Sequence, residues 1–158
     1  MKRYGWIVVV LAALDQMIKA YVRTIPHGYT FFELPGWVSL THCVNTGAAF
    51  SMLSGRALFL TLVSVVLMCA LCFYMHTRMH LSKAAYAALA CVLGGGLGNL
   101  VDRVIFGGVT DYIRLLFIDF PVFNLADIAI TCAIGILMIL LITDKLEENS
   151  EEMHGSDG

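Results

Sequence analysis

Charge is what this chain has least of. Only 14% of its 158 residues are Asp, Glu, Lys or Arg, while 59% are hydrophobic; a soluble domain carries about 25% charged residues. Mean hydropathy is +0.80. The apolar excess is gathered into long runs, which excludes an ordinary soluble domain and implies one compact integral membrane unit. A basic surplus is missing too. The formal net charge is −2, and residues 144–158 hold six of the 12 acids with one Lys. Neither that acidic end nor the mildly basic remainder suits a nucleic-acid partner.

Other absences remove whole reaction classes. The five cysteines are Cys43, Cys69, Cys72, Cys91 and Cys132, and all but Cys43 fall in apolar runs, where Cys acts as a small packing residue. Cys69 and Cys72 have C-x-x-C spacing, but apolar surroundings keep thiols protonated and no acid lies near them in sequence. With Cys43 alone outside lipid, no disulfide is expected. His27, His42, His76, His80 and His154 are scattered, so no Ser-His arrangement and no zinc-type spacing forms. The glycines of "GGGLG" (94–98) lack a following Lys-Ser/Thr, against a nucleotide loop. No metal or cofactor is expected, and no internal repeat is visible.

What is present is a set of runs long enough to cross a ~30 Å hydrocarbon core as helices of about 20 residues. They cover approximately 5–22, 57–75, 82–101 and 125–143. Lys2 and Arg3 before the first run suggest a signal peptide, but Asp15 and Lys19 interrupt it and no small-residue cleavage pattern follows, so it reads as a retained helix. An even number of spans puts both termini on one side. That side, with the 76–83 loop, carries Lys2, Arg3, Arg78, Lys83 and Lys145; the other carries Arg23, Arg56, Arg103 and Arg114 over a longer stretch. The density favours cytoplasmic termini.

Two outer segments follow, 23–56 and 102–124. The first has turn signals at Pro26, Gly28 and Pro35-Gly36 around "YTFFEL" and "WVSLTHCV", which read as short strands. The second contains "DYIRLLFIDF", which reads as a short interfacial helix. The expected fold is an all-α membrane protein: four transmembrane helices with a small extracytoplasmic β-cradle and a short interfacial helix. Residues 144–158 read as a disordered acidic cytoplasmic tail.

Polar groups inside the spans need reasons, since an Asp, Lys or Arg at a helix centre costs about 2.5–3.5 kcal/mol on insertion scales. Asp15 and Lys19 are four apart on one face, where they can neutralise each other and brace helix packing. Gly94 and Gly98 have the G-x-x-x-G spacing that admits a neighbouring helix. Asn99, Asp102 and Arg103 crowd the outer end of the third span and read chiefly as bracing. Asn45, in "VNTGAAFSML" (44–53), reads first as a turn residue.

Asp111 in "GGVTDYI" and Asp127 in "FNLADIAI" remain. Singly, each has a simple role: Asp127 as an acid near a helix N-terminus, with Asn124 as a natural N-cap, and Asp111 as a solvated loop carboxylate. Together, at the outer ends of adjacent spans, they form a pair that can share a proton. An ionised member can take a proton from water that attacks a carbonyl, while the protonated member hydrogen-bonds the carbonyl oxygen. Peptide hydrolysis is the familiar reaction these residues assemble. The rival classes are a small transporter, which would spread polar residues through the membrane depth, and a non-enzymatic assembly protein with acids used only for packing.

The boxes "LDQMIKAYV" (14–22), "VNTGAAFS" (44–51), "GGGLGNLVDRVIFGGVTDYI" (94–113) and "FNLADIAI" (123–130) resemble those of the lipoprotein signal peptidases (signal peptidase II), bacterial aspartyl proteases of prolipoprotein processing. They fall in family order, although Tyr112 stands where Phe is commoner and Ile128 where a small residue is frequent. The resemblance implies that Asp111 and Asp127 are the catalytic dyad. It implies that Asp15, Lys19, Asn45, Asn99, Asp102, Arg103 and Asn124 bind substrate or brace the site. It implies a β-cradle from 23–44 and a short helix near 111–118. The implied substrates are diacylglyceryl-modified prolipoproteins, cut just before the lipidated Cys. Also implied are a multi-pass location in the bacterial inner membrane with an active site at the periplasmic or outer face, and inhibition by peptide antibiotics of the globomycin type. The apolar spans themselves imply contact with membrane lipid, and since nothing in the sequence requires a partner subunit a monomer is expected.

Overall fold

The computed structural model describes residues 4–47, 57–77 and 81–155, with side chains of Ala57 and of 144–155 left aside. The small-residue turn expected over 48–53, and Lys2, Arg3, Arg56 and Arg78 of the charge count, lie outside these residues.

The chain runs α1 (Gly5–Arg23), β1 (Thr30–Leu34), β2 (Val38–Asn45), α2 (Ala57–Thr77), α3 (Lys83–Phe106), β3 (Val109–Leu115) and α4 (Leu125–Gly155). Each of the four helices contains a stretch long and apolar enough to cross a membrane. Half of that stretch is buried in α3, against 17% in α1, 6% in α2 and 11% in α4, so α3 is the central helix and the others present most of their surface outward. Its small residues allow this. A Cβ on Gly94 would sit 3.0 Å from Leu11 Cβ and 3.2 Å from Val8 Cα of α1, and one on Gly98 would meet the Asp15 carboxylate. On the other side, a Cβ on Gly95 would lie 2.7 Å from the Ala126 carbonyl oxygen of α4. The G-x-x-x-G pair therefore does receive a neighbouring helix, α1.

Several boundaries differ from the sequence expectation. The third helix opens on Ser82, whose hydroxyl accepts from Ala85 N–H, and continues to Phe106, where Gly107 turns the chain at φ 74°. Only a residue without Cβ takes that conformation freely, so the glycine rather than the polar Asp102–Arg103 step ends the helix. The fourth helix continues to Gly155, so the segment expected to be a disordered tail is helical up to that residue. It carries Lys145, Leu146, Glu147, Glu148, Glu151, Glu152 and Met153, all strong helix formers.

The three strands form one antiparallel sheet in the order β1-β2-β3. β1 and β2 fall within the expected cradle, but the short helix expected near 111–118 is instead strand β3 over Val109–Leu115. Its Val109, Thr110, Tyr112 and Ile113 are β-branched and aromatic residues that suit a pleated surface. β2 supplies the backbone partners, with Asn45 opposite Val109 and Cys43 opposite Asp111. Beyond β3, Phe123 exchanges backbone bonds with Ile113 at 2.8 and 3.0 Å, which brings the chain back to start α4 beside the strand.

Among the described residues, the largest fully buried side chains are Lys19, Val22, Asn124, Asp15 and Asp102. All but Val22 are polar, so the molecule seals in a hydrogen-bonded cluster as well as the apolar cluster of Met75, Leu89 and Leu93.

Candidate active site

The site begins at the N-terminus of α4. The first turn of a helix leaves backbone N–H groups without helical partners, and here each finds one. Leu125 N–H donates to the Tyr112 hydroxyl at 3.2 Å, Ala126 N–H to Asp15 Oδ1 at 3.1 Å, and Asp127 N–H to Asn124 Oδ1 at 3.0 Å. Ile128 N–H reaches the Asn124 carbonyl at 3.3 Å. Asp127 Oδ2 accepts in return from Asn124 N–H at 3.1 Å. This reciprocal arrangement is a capping box built from Asn and Asp. The expected cap and the expected helix-terminal acid are therefore both present, and α1, β3 and the incoming loop all grip the start of α4.

Asp111 approaches the same point from β3. Asn124 Nδ2 donates to Asp111 Oδ1 at 2.6 Å, and Asn45 Nδ2 donates to Asp111 Oδ2 at 3.1 Å. Asp111 is 3% exposed, so it is no solvated loop acid. Burial and, second, the negative charge of Asp127 push its pKa up to about 7, against the Asn124 and Asn45 hydrogen bonds and the Lys19 charge. The neighbouring Tyr112 phenol is pushed up to about 12, chiefly by burial, and stays protonated.

Behind the two acids lies a buried ionic cluster. Lys19 Nζ is 2.8 Å from Asp15 Oδ2 and 3.5 Å from Asp102 Oδ2, and it donates to Asn99 Oδ1 at 2.8 Å. Asn99 Nδ2 then donates to Asp127 Oδ1 at 2.8 Å, and Asn99 Oδ1 also accepts from Asn124 Nδ2 at 3.1 Å. One chain of contacts thus runs from Asp15 through Lys19, Asn99 and Asn124 to both acids. Arg103 stands apart from Asp102, as adjacent helical positions require. It has no ion pair among the described residues, yet it faces the cavity and feels the charges of Asp127, Asp111 and Asp102.

That cavity has a volume of about 460 Å³. Its polar wall is Asn45, Asn99, Arg103, Asp111 and Asp127; its apolar wall includes Phe120, Val122, Phe123 and Ile130. The space thus offers polar groups on one side and hydrocarbon on the other. Among the described residues no group of three or more His, Cys, Asp or Glu is placed to hold a metal ion.

Three polar participants were not singled out from sequence. Gln16 Nε2 and Arg23 Nη1 both donate to Asp102 Oδ1, at 2.8 and 3.1 Å, and Thr110 N–H donates to Asp102 Oδ2 at 2.7 Å. A signal for the first two existed. Asp15, Gln16, Lys19 and Arg23 fall on one side of α1, a polar stripe wider than the Asp15–Lys19 pair.

Comparison with known proteins gives consistent matches. Residues 7–143 match the family described as Signal peptidase (SPase) II. The chain is 38% identical over 144 residues to the lipoprotein signal peptidase of Streptococcus pneumoniae, covering 90% of this chain and 94% of that protein. It is 37% identical to the lipoprotein signal peptidase of Streptococcus thermophilus, at 90% and 93% coverage. A bacterial membrane enzyme solved by the in meso method at 2.3 Å resolution superposes with TM-score 0.85 at 29% identity, over 92% of this chain and 90% of that one. A second, solved at 1.9 Å, gives 0.82 at 29%. With four apolar helices of crossing length, this is a multi-pass membrane protein.

Proposed function

The chain belongs to the signal peptidase II family, and from that premise we propose that it is an aspartic endopeptidase that removes signal peptides from diacylglyceryl-modified prolipoproteins just before the lipidated Cys. The observation that carries the reading is that Asp111 of β3 and Asp127 of α4 line one cavity and are both bonded to the same residue, Asn124.

In the proposed reaction the dyad holds one proton, on Asp111, whose buried carboxyl is pushed up to about 7. The Asp127 carboxylate, held by Asn99 and by the Asn124 backbone N–H, takes a proton from water. The resulting hydroxyl adds to the scissile carbonyl carbon, and the Asp111 O–H gives its proton to the carbonyl oxygen. In the collapse of the tetrahedral adduct, the new proton on Asp127 passes to the departing amide nitrogen, Asp111 takes a proton back, and the C–N bond breaks. Asn45 and Arg103, on the polar wall, hold the substrate backbone. The signal helix and the diacylglyceryl chains both lie in the bilayer, so membrane confinement presents the bond at the level of the helix ends and lowers the entropic cost of positioning it.

This reading places the protein in the bacterial inner membrane with both termini cytoplasmic and the dyad on the outer side, as a monomer. It also makes globomycin-type peptides competitors for the cavity. The test is cleavage of a diacylglyceryl-modified prolipoprotein in detergent or liposomes. Wild type cuts it, and Asp111→Asn and Asp127→Asn fold but do not. A folded Asn variant that cuts at the wild-type rate removes that residue from the dyad.

A further inference from the structure

The turn that delivers Asp111 to the cavity is intrinsically loose. Between the last residue of α3 and the first of β3 stand Gly107 and Gly108, a pair with more backbone freedom than any other two residues. Yet the strand that follows must present a carboxyl at a fixed place, since misplacement by about an ångström can cost a catalyst roughly 100-fold.

Arg23, at the C-terminal end of α1, spans that turn. Its guanidinium carbon lies 4.2 Å from the centre of the Phe106 ring, on the near side. Its Nη1 donates to Asp102 Oδ1 at 3.1 Å, also on the near side, and to Thr110 Oγ1 at 3.2 Å on the far side. Nη2 reaches Gln16 Oε1 at 3.3 Å, while Gln16 Nε2 donates to Asp102 Oδ1 at 2.8 Å and to the Gly98 carbonyl at 2.9 Å. Asp102, fully buried, spends its other oxygen on Thr110 N–H at 2.7 Å. Thr110 is thus held twice, by backbone and by side chain. Successive side chains on a strand point to opposite faces, so the grip on Thr110 is behind the sheet and Asp111 projects to the front.

We infer that Arg23 is a positioning residue for Asp111: with Gln16 and Asp102 it clamps Thr110 across the Gly107-Gly108 turn and fixes the point from which Asp111 faces Asp127. The inference rests on the dyad reading above. Only a planar fork reaches Thr110, Asp102 and Gln16 at once while stacking on Phe106; a lysine ammonium supplies the charge without that geometry. The fork, and not the charge alone, is the working element.

The experiment compares wild type, Arg23→Gln and Arg23→Lys in detergent, using a diacylglyceryl-modified prolipoprotein and, separately, the infrared band of the protonated Asp111 carboxyl, identified by its loss in Asp111→Asn. Expected for Arg23→Gln is a kcat lower by roughly 10–100-fold with KM within about twofold, and a displaced titration midpoint for the Asp111 band. Arg23→Lys, which keeps a positive charge beside the buried acid, restores melting temperature but not kcat, and it carries the test if Arg23→Gln fails to fold. Wild-type kcat together with an undisplaced midpoint in either folded variant overturns the inference, as does full rescue of kcat by Lys. If wild type leaves the prolipoprotein uncut, the function reading fails instead, and the Asp111 midpoint in the variants still decides the role of Arg23.

Discussion

Asn124, fully buried, donates to Asp111 Oδ1 at 2.6 Å while its own side-chain oxygen caps Asp127 N–H. One amide therefore fixes the strand-borne acid and starts the helix that carries the other. Asn124→Ala should lose both functions. A lost N-cap costs about 1 kcal/mol of stability, and activity should fall well beyond what that loss of folded enzyme explains. Thermal melting beside kcat on the same sample separates the two effects.

The raised pKa of Asp111 gives a pH dependence with a definite sign. The folded protein holds this proton up to about pH 7, whereas an ordinary aspartate releases it near 3.8. Between those values the unfolded chain binds fewer protons than the native one, so this group's contribution to stability is complete below the lower value and declines as pH rises through the higher. Catalysis follows the same proton. A profile of kcat/KM against pH should fall on the alkaline side with a midpoint near 7, and a flat profile to pH 9 would contradict the assignment of the proton to Asp111.

Packing around α3 yields a contrast between neighbouring glycines. A methyl on Gly95 would meet the Ala126 carbonyl at 2.7 Å, whereas one on Gly96 would meet the Met68 side chain at ordinary contact distance, 3.6 Å from Sδ and 3.7 Å from Cγ. Gly95→Ala should be destabilised by about 1–3 kcal/mol, the usual cost of overpacking, and should disturb the first turn of α4. Gly96→Ala should melt at or above the wild-type temperature. Thermal shifts of the two variants in one detergent check this.

Tyr112 offers a subtler change. Its hydroxyl accepts Leu125 N–H at 3.2 Å, so Tyr112→Phe leaves a helix N-terminal donor unpaired and should cost about 1 kcal/mol. Hydrogen exchange at Leu125 should quicken relative to the rest of α4.

Much of this architecture was readable before the fold was known. The spans follow from hydropathy alone, and Asn124 as cap follows from its place before an apolar run. "DYIRLLFIDF" misled because its apolar residues fit a helical period, while the partner that makes it a strand, β2, lies some 66 residues away across the Asn45–Asp111 bond. In the sequence Arg23 enters only the count of basic residues on the outer side. Its grip on Thr110 depends on α1, α3 and β3 meeting, which no local pattern encodes. Asp102 and Arg103 show the same limit: both read as bracing in the sequence, and only the fold shows one sealed in the ionic cluster and the other facing the cavity.

The central claim is that two acids act as one unit, and a double-mutant comparison reads it most directly. Cleavage rates of a diacylglyceryl-modified prolipoprotein are measured for Asp111→Asn, Asp127→Asn and the double variant, each confirmed as folded. Groups that work together on one water lose their effect together, so the double variant should be no slower than either single one. Losses that multiply, or a single variant that keeps the wild-type rate, would contradict the account.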